Sequence, residues 1–228
     1  MTSLNQQYCN GYNVDLVFCI DKTGSMQYII DEVKSNALNL HNLILNEMAK
    51  SNLDLNALRI RVVAFGCIGE DKEKAFKVSD FFEMPEDADY FSDFVTNIEA
   101  EGGGEESGLN ALALSLASPW NRGAKMRQII MMFTDEDSHS LSKHRKSQYC
   151  PAGTPKSMEE LDIMWAGGQS ATIDQRAKRL VIFGPDNSVY SQLYNRWEKV
   201  YFYPQIYGEL KMPINDILKI LVSTITAV

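Results

Sequence analysis

The sequence has few basic residues and no long apolar segment. Its 228 residues include 22 Lys and Arg against 30 Asp and Glu, which gives a formal net charge of -8 at pH 7. Duplex nucleic acids bind proteins through basic side chains that displace counterions, so this balance argues against a nucleic acid partner. No run approaches the roughly 18 apolar residues of a membrane-spanning helix. We therefore expect neither nucleic acid nor a membrane as a partner.

The N-terminal residues and the cysteines predict a cytoplasmic location. The opening residues, MTSLNQQYCNGYN, lack the basic start and apolar centre of a signal peptide. Cys19 and Cys67 lie in apolar strand-like runs, where a cysteine is usually a small buried hydrophobe. Cys9 and Cys150 lie in polar segments and are free to pair, but four dispersed cysteines make no disulfide framework at this length. We expect a reducing compartment.

Short β-branched and aromatic runs alternate with segments of helical periodicity. Strands are predicted at 14–20, 58–66, 127–134, 179–184 and 200–204, with an antiparallel or edge strand around 77–84. Helices are predicted at 26–50, 87–98, 106–117, 157–164 or 170–178, 188–199 and 214–227. This alternation predicts an α/β fold with a doubly wound, mostly parallel central sheet flanked by helices. We assume the strand order 3-2-1-4-5-6 with one antiparallel edge strand.

The hydrophobic content is sufficient for one sizeable core. It amounts to 45% of the chain, and no low-complexity tract or Pro/Gly-rich linker divides the sequence. We predict a polar N-terminal leader at residues 1–13 and a single domain over residues 14–228.

Acidic residues follow two strands that are predicted to be central. Asp21 ends the first apolar run, and Asp135 follows the run at 127–134. In an open α/β sheet, ligands bind beyond the carboxyl ends of the strands, where the strand order reverses. The segment AEGGGEESG, at 100–108, leads into the helix before the second of these strands. It therefore brings Glu105, Glu106 and Ser107 to the same edge.

Several carboxylates in one crevice repel each other. At about 4 Å and an effective dielectric constant near 20, each pair costs roughly 4 kcal/mol. Either some of these groups are protonated or a cation lies among them. Carboxylate and hydroxyl oxygens, such as those of Asp21, Thr23 and Ser25, suit a small hard cation. We expect Mg²⁺, with Mn²⁺ and Ca²⁺ as alternatives.

Three motifs together resemble those of von Willebrand factor A (vWA) domains. DLVFCIDKTGSM is similar to the DxTGSM signature of that family, and EGGGEESG is similar to its glycine-rich second loop. IIMMFTDEDSH resembles the strand ending in Thr-Asp that supplies the third loop. The motifs follow the order of the family, and the resemblance covers nearly the whole chain.

The resemblance implies a particular set of metal ligands. The metal-ion-dependent adhesion site (MIDAS) of the family carries over to Asp21, Thr23, Ser25 and Asp135. The second-loop threonine has no exact match in this chain. Glu105 is the preferred substitute and Ser107 the alternative.

The resemblance also implies a function. A stand-alone, bacterial-type vWA protein is expected to be non-enzymatic and to bind a protein partner, here unidentified, in a metal-dependent manner. The sequence does not predict the oligomeric state.

Two other interpretations of DKTGS are open. The residues Asp, Thr and Ser also cap helices without any metal. The motif further resembles the phosphorylated DKTGT of P-type ATPases, in which Asp21 would be the nucleophile of Mg²⁺-dependent phosphoryl transfer within the haloacid-dehalogenase fold. That fold normally inserts a flap or cap after the motif, whereas here a helix starts almost at once. Lys22 is then expected to be an exposed loop residue.

The loop after Asp135 carries a second set of candidate ligands. His139, His144 and Cys150 are able to bind zinc, but their spacing fits no common zinc pattern and no fourth ligand is evident. The plainer interpretation is a solvated loop. Residues 136–156, which include the basic SKHRK, have no clear periodicity, and we expect them to influence partner choice. By contrast, residues 78–121 contain acidic residues and no Lys or Arg, which favours cations and basic partners nearby.

Overall fold

A computed structural model describes residues 11–100, 102, 105–168, 172–206 and 210–227. The first ten residues of the predicted leader, with Cys9 and its suggested pairing to Cys150, lie outside these residues. Gly103 and Gly104 of the glycine-rich segment also lie outside them. The first strand begins at Tyr12, two residues before the predicted domain boundary.

The structure contains the predicted doubly wound, mostly parallel sheet. The spatial order is β3-β2-β1-β5-β6-β7, and β4 also pairs with β2. Strands β1, β2, β5, β6 and β7 are parallel, whereas β3 and β4 run antiparallel to β2. The strands are β1 (Tyr12–Asp21), β2 (Leu55–Phe65), β3 (Phe76–Val78), β4 (Phe82–Met84), β5 (Met126–Phe133), β6 (Lys178–Pro185) and β7 (Val200–Gln205). The predicted fold class and the central position of the first strand are confirmed.

The strand order differs from the prediction only at the antiparallel edge. The single strand predicted around 77–84 is divided into β3 and β4. Val78 pairs with Val63 and Phe82 with Ile60, so three residues on the edge face two on β2. An extra residue of this kind makes a bulge and interrupts the ladder. The hydroxyl of Ser79 satisfies the interrupted pairing by accepting from the Val62 N–H at 2.9 Å.

The helices cover both faces of the sheet. They are α1 (Gln27–Asn36), α2 (Leu40–Lys50), α3 (Ile68–Asp71), α4 (Ala88–Thr96), α5 (Gly108–Leu116), α6 (Met158–Trp165), α7 (Val189–Arg196) and α8 (Ile214–Thr226). The short α3 was not predicted. Of the two alternatives after the long loop, 157–164 is helical, whereas 172–177 is not.

The helix predicted over 26–50 is two helices joined by a 3₁₀ turn, Ala37–Asn39. Asn36 and Asn39 both have φ near -108, and Asn39 leaves the α conformation. Asparagine forms local hydrogen bonds that compete with the helix, and here the Asn36 amide donates to the Glu32 carbonyl at 2.8 Å. The apolar stripe nevertheless continues through the turn, because Ala37 and Leu40 are buried. Periodicity alone therefore did not reveal the break.

Alternate residues of β1 serve the two cores. Leu16, Phe18 and Ile20 pack on the side of α1, α2 and α8, whereas Val17 and Cys19 pack on the side of α5, α6 and α7. Side chains alternate between the faces of a strand, so a strand apolar on both faces must be covered on both. None of the described helices is both long and apolar enough to span a membrane.

The buried ion pair between Asp15 and Arg59 gives a test of this fold. The guanidinium donates to both carboxylate oxygens, at 2.8 and 2.6 Å, across the β1–β2 pairing. We expect Arg59→Met to lower the free energy of unfolding by about 3–5 kcal/mol, because the buried carboxylate of Asp15 loses its cationic partner. Urea unfolding measures the change.

The exposed pair between Lys50 and Glu47 is the control. Lys50→Met should cost less than about 1 kcal/mol, since exposed ion pairs contribute little. Equal losses in the two variants would contradict the role assigned to Arg59.

Candidate metal centre

The pairing of β1 with β5 brings the predicted ligands to one edge of the sheet. Ile20 pairs with Phe133, so Asp21 and Thr134 are the next residues on neighbouring strands. The Thr134 hydroxyl donates to Asp21 Oδ2 at 2.9 Å, and the Thr23 N–H donates to Asp21 Oδ1, also at 2.9 Å. Asp21 is fully buried. Its carboxyl group is therefore held in one orientation from both sides.

The two predicted hydroxyl ligands lie together in the loop after β1. Thr23 is buried and Ser25 is exposed, and their hydroxyl oxygens are 3.2 Å apart. A 3₁₀ turn, Gly24–Met26, brings these alternate residues to the same side. The Met26 N–H closes the turn on the Thr23 carbonyl at 3.0 Å.

Asp135 is the least satisfied polar group of the site. Its side chain is fully buried, and neither carboxylate oxygen has a hydrogen-bond partner of normal geometry among the described residues. Burial raises the pKa of Asp135, and the nearby Ser25 hydroxyl opposes this shift only in part. A buried carboxyl without donors costs free energy unless a proton or a cation compensates it.

The second loop contributes a buried glutamate at 106, whereas Glu105 was the expected ligand. Glu105 is exposed, and its Oε2 lies 2.8 Å from His139 Nδ1. Glu106 is buried, and its Oε2 has no partner among the described residues. Burial, followed by the charges of Asp21 and Asp71, raises the pKa of Glu106 to about 9.

The backbone explains why the two glutamates differ. Glu106 forms an isolated parallel bridge with Ser138, in which the Glu106 N–H donates to the Asp137 carbonyl and the His139 N–H donates to the Glu106 carbonyl. Successive side chains of an extended segment lie on opposite sides. Only one of two adjacent glutamates can therefore face Asp21. The sequence showed the pair of glutamates but not this alternation.

Ser107, the alternative candidate, has a structural role. Its hydroxyl oxygen accepts from the Ile68 N–H at 3.0 Å, and its own N–H donates to the Gly66 carbonyl. These bonds fasten the second loop to the end of β2.

The expectation that Lys22 is exposed is wrong. Its N–H donates to the Phe65 carbonyl at 2.8 Å, which extends the β1–β2 pairing, and its side chain is buried. Lys22 Nζ lies 3.7 Å from Asp71 Oδ2, and the charge of Lys22 opposes the rise in the pKa of Glu106. Gly66 leaves the space for this pair, because a Cβ there would lie 2.0 Å from Asp71 Oδ2. One positive charge thus lies beside the acidic group.

This geometry bears on two interpretations of Asp21, helix capping and cation binding. Capping accounts for the bond from the Thr23 N–H, although Thr23 itself makes no side-chain cap to the following turn. Capping gives no reason to bury Asp135 and Glu106 without donors. A hard divalent cation does, since every group available here is an oxygen.

Comparisons with known proteins show the fold. No protein-family model matches the chain. Over 153 residues, or 66% of its length, the chain is 26% identical to alpha-protein kinase vwkA of Dictyostelium discoideum. The pilus adhesin SpaC of Lactobacillus rhamnosus GG covers 95% of the chain, with a TM-score of 0.58 and 12% identity. Its open conformation gives a TM-score of 0.53 and 13% identity.

The matched proteins are much longer. The chain spans 23% of the kinase and 31% of the adhesin. The likeness to the adhesin, at this identity, is one of α/β fold alone.

The buried carboxyls predict that the metal-free protein loses stability as the pH rises. Burial raises the pKa of Asp21 to about 7, and that of Glu106 to about 9, above the values near 4 of the unfolded chain. Between about pH 4 and pH 9 the folded state binds more protons than the unfolded state. The free energy of unfolding therefore falls as the pH rises through this range. Urea unfolding in EDTA from about pH 5 to 9 measures this dependence.

Glu106→Gln isolates the contribution of one group. The neutral amide does not titrate, so the variant should lose less stability between about pH 5 and 9 than the wild type. Taking the difference between the two proteins cancels the titration that they share. Identical slopes would show that Glu106 is not the buried acid described above.

Proposed function

We propose that the chain is a non-enzymatic, vWA-like interaction domain that binds a divalent cation, Mg²⁺ in the first place, and uses it in binding a protein partner. The main support is the pair of buried carboxylate oxygens of Asp135, which have no hydrogen-bond partner of normal geometry among the described residues. The proposed ligands are Asp21, Thr23, Ser25 and Asp135 of the predicted set, with Glu106 in the place first given to Glu105.

The charge of this set favours a cation that orders the loops. The proposed set holds three buried carboxyl groups, and the charge of Lys22, which pairs with Asp71, also acts on Glu106. A glutamate as the second-loop ligand neutralises more of the charge of the ion than a threonine would. The ion then attracts an acidic side chain of a partner less strongly. The ion then acts mainly by joining the loops after β1 and β5 to the second loop.

The geometry at Asp21 favours binding over phosphoryl transfer. Both of its carboxylate oxygens accept hydrogen bonds, and the side chain is fully buried. A nucleophile needs an oxygen that can approach the reacting atom. The kinase relative does not alter this proposal, since the chain matches only 23% of that protein.

Free thiols support the proposed cytoplasmic location. Cys19, Cys67 and Cys150 are all unpaired in the described part of the chain. Unpaired cysteines are the usual state in a reducing compartment.

Magnesium should stabilise the metal-stripped protein. At a concentration about 100 times its Kd, a ligand adds about 2.7 kcal/mol to the free energy of unfolding. For a chain of this size, that raises the Tm by roughly 5–10 °C. Asp21→Ala and Asp135→Asn should abolish the shift, as measured by thermal unfolding with and without Mg²⁺, Mn²⁺ or Ca²⁺.

Glu86→Ala is the matched control, since it removes an exposed acid from the acidic segment and should keep the full shift. No shift in the wild type with any of the three ions would contradict the metal site. Hydrolysis of an aryl phosphate that requires both Mg²⁺ and Asp21 would instead favour the enzyme.

The partner is expected to depend on the same ion. A protein retained by immobilised wild type in Mg²⁺ should be released by EDTA and should not bind Asp135→Asn. Glu86→Ala should retain it. Mass spectrometry of the EDTA eluate identifies the partner. Equal recovery on wild type and Asp135→Asn would mean that partner binding does not involve the metal.

A further inference from the structure

A second group of metal-binding side chains lies beside the acidic site. Cys67, His139 and His144 each offer one ligand atom, and these atoms all lie within 4.8 Å of one another. Cys67 Sγ is 3.4 Å from His139 Nε2, and the two imidazole rings meet edge to face with centroids 5.0 Å apart. Cys67 and His139 are buried, and His144 is half-buried.

The cysteine of this group is Cys67, whereas the sequence suggested Cys150. Cys150, from the same loop as the histidines, lies 3.3 Å from the Thr154 hydroxyl and 3.9 Å from the Asn110 amide. Cys67 comes instead from the end of β2, which is distant in the sequence. Spacing patterns read along one loop could not have found this combination.

Glu105 orients His139 for such a site. With its Nδ1–H donated to Glu105 Oε2 at 2.8 Å, the ring presents the lone pair of Nε2 towards Cys67 Sγ. A carboxylate behind a histidine is the usual second partner of a metal-binding imidazole, because it fixes the tautomer and increases the basicity of the ligand atom. The exposed glutamate of the second loop thereby has a definite role.

His144 is held towards this group with its ligand atom unused. His144 Nε2 is buried and has no hydrogen-bond partner among the described residues. The ring packs directly on Gly69, where a Cβ would lie 2.6 Å from His144 Cε1. The absence of a side chain at 69 is what allows this approach.

Lys143 competes with a cation for His139. Its Nζ lies 2.9 Å from His139 Nδ1 and 3.3 Å from Nε2. The side chain is 48% exposed and also approaches Glu105 Oε2, at 3.9 Å. The Lys143 side chain can therefore move into solvent when a metal binds His139 Nε2.

We propose that Cys67, His139 and His144 bind Zn²⁺, with the fourth position open to water or to a partner's ligand. Thiolate and imidazole are the ligands that zinc prefers, and three protein ligands with one open position are typical of accessible zinc sites. On binding, the Cys67 thiol loses its proton to solvent while both imidazoles remain neutral. The set is distinct from the all-oxygen site of Asp21.

Cobalt(II) added to the metal-stripped full chain tests the proposal. A cysteine thiolate on Co²⁺ gives a ligand-to-metal charge-transfer band in the near ultraviolet, and tetrahedral coordination gives intense visible absorption. We expect both features at one Co²⁺ per chain, displacement of Co²⁺ by Zn²⁺, and no displacement by excess Mg²⁺. Absence of the thiolate band in the wild type would overturn the assignment.

Four variants locate the site. Cys67→Ser should remove the thiolate band, and the control Cys150→Ser should keep it. Glu105→Ala should weaken Co²⁺ binding by about tenfold to a hundredfold, the usual effect of losing a second partner of a histidine ligand. Asp21→Ala should leave the band intact, which separates this site from the proposed magnesium site.

His144→Gln is a second test, because the substitution of the buried Cys67 could remove cobalt binding by disturbing the fold. His144 lies at a half-buried loop position, so circular dichroism should show a folded protein. Loss of tetrahedral absorption in the folded variant supports the proposal. Unchanged cobalt binding in His144→Gln, or a full thiolate band in Cys67→Ser, would contradict it.

Discussion

The parallel pairing of β1 with β5 is the constraint on which the acidic site depends. It places Asp21 and Thr134 side by side, and the bond between the Thr134 hydroxyl and Asp21 Oδ2 joins the two strand ends. Side chains alternate along a strand, so a slip of one residue would turn Asp21 away from its partner and exchange the two apolar faces of β1. The cores on both sides forbid that slip, because Leu16 and Val17 belong to different cores. Packing of the sheet thus fixes the positions of the polar atoms.

The same packing buries carboxyl groups at a cost in free energy. Asp135 and Glu106 are buried without sufficient donors among the described residues, and Lys22 compensates only part of their charge. Native proteins keep such groups chiefly where function requires them. Here β1 holds Asp21 and the bridge to Ser138 holds Glu106, whereas Ser25 and Glu105 are exposed. The buried half of the site is therefore held in place before anything binds to it.

The sequence predicted the architecture well because strand and helix periodicities are local. The class of fold, the two central strands and the convergence of Asp21 with the segment after β5 all followed from such patterns. The features that the sequence did not predict have a different origin. The bulge opposite Val62, the burial of Lys22 and the inward position of Glu106 depend on contacts between distant segments. Cys67 likewise contacts His139 although the two residues are 72 positions apart in the sequence. Periodicity carries no information on these contacts.

The bridge between Glu106 and Ser138 affects how related chains should be aligned. The segment EGGGEESG is anchored at Ser107, whose hydroxyl accepts from the Ile68 N–H, next to the bridge of Glu106. Counting backwards from that serine, the first residue faces Asp21 and the second faces His139. A relative with a longer or shorter glycine run keeps this assignment, whereas one residue inserted next to the serine exchanges the two. The position of a glutamate relative to this serine, more than the composition of the loop, identifies the residue that corresponds to Glu106.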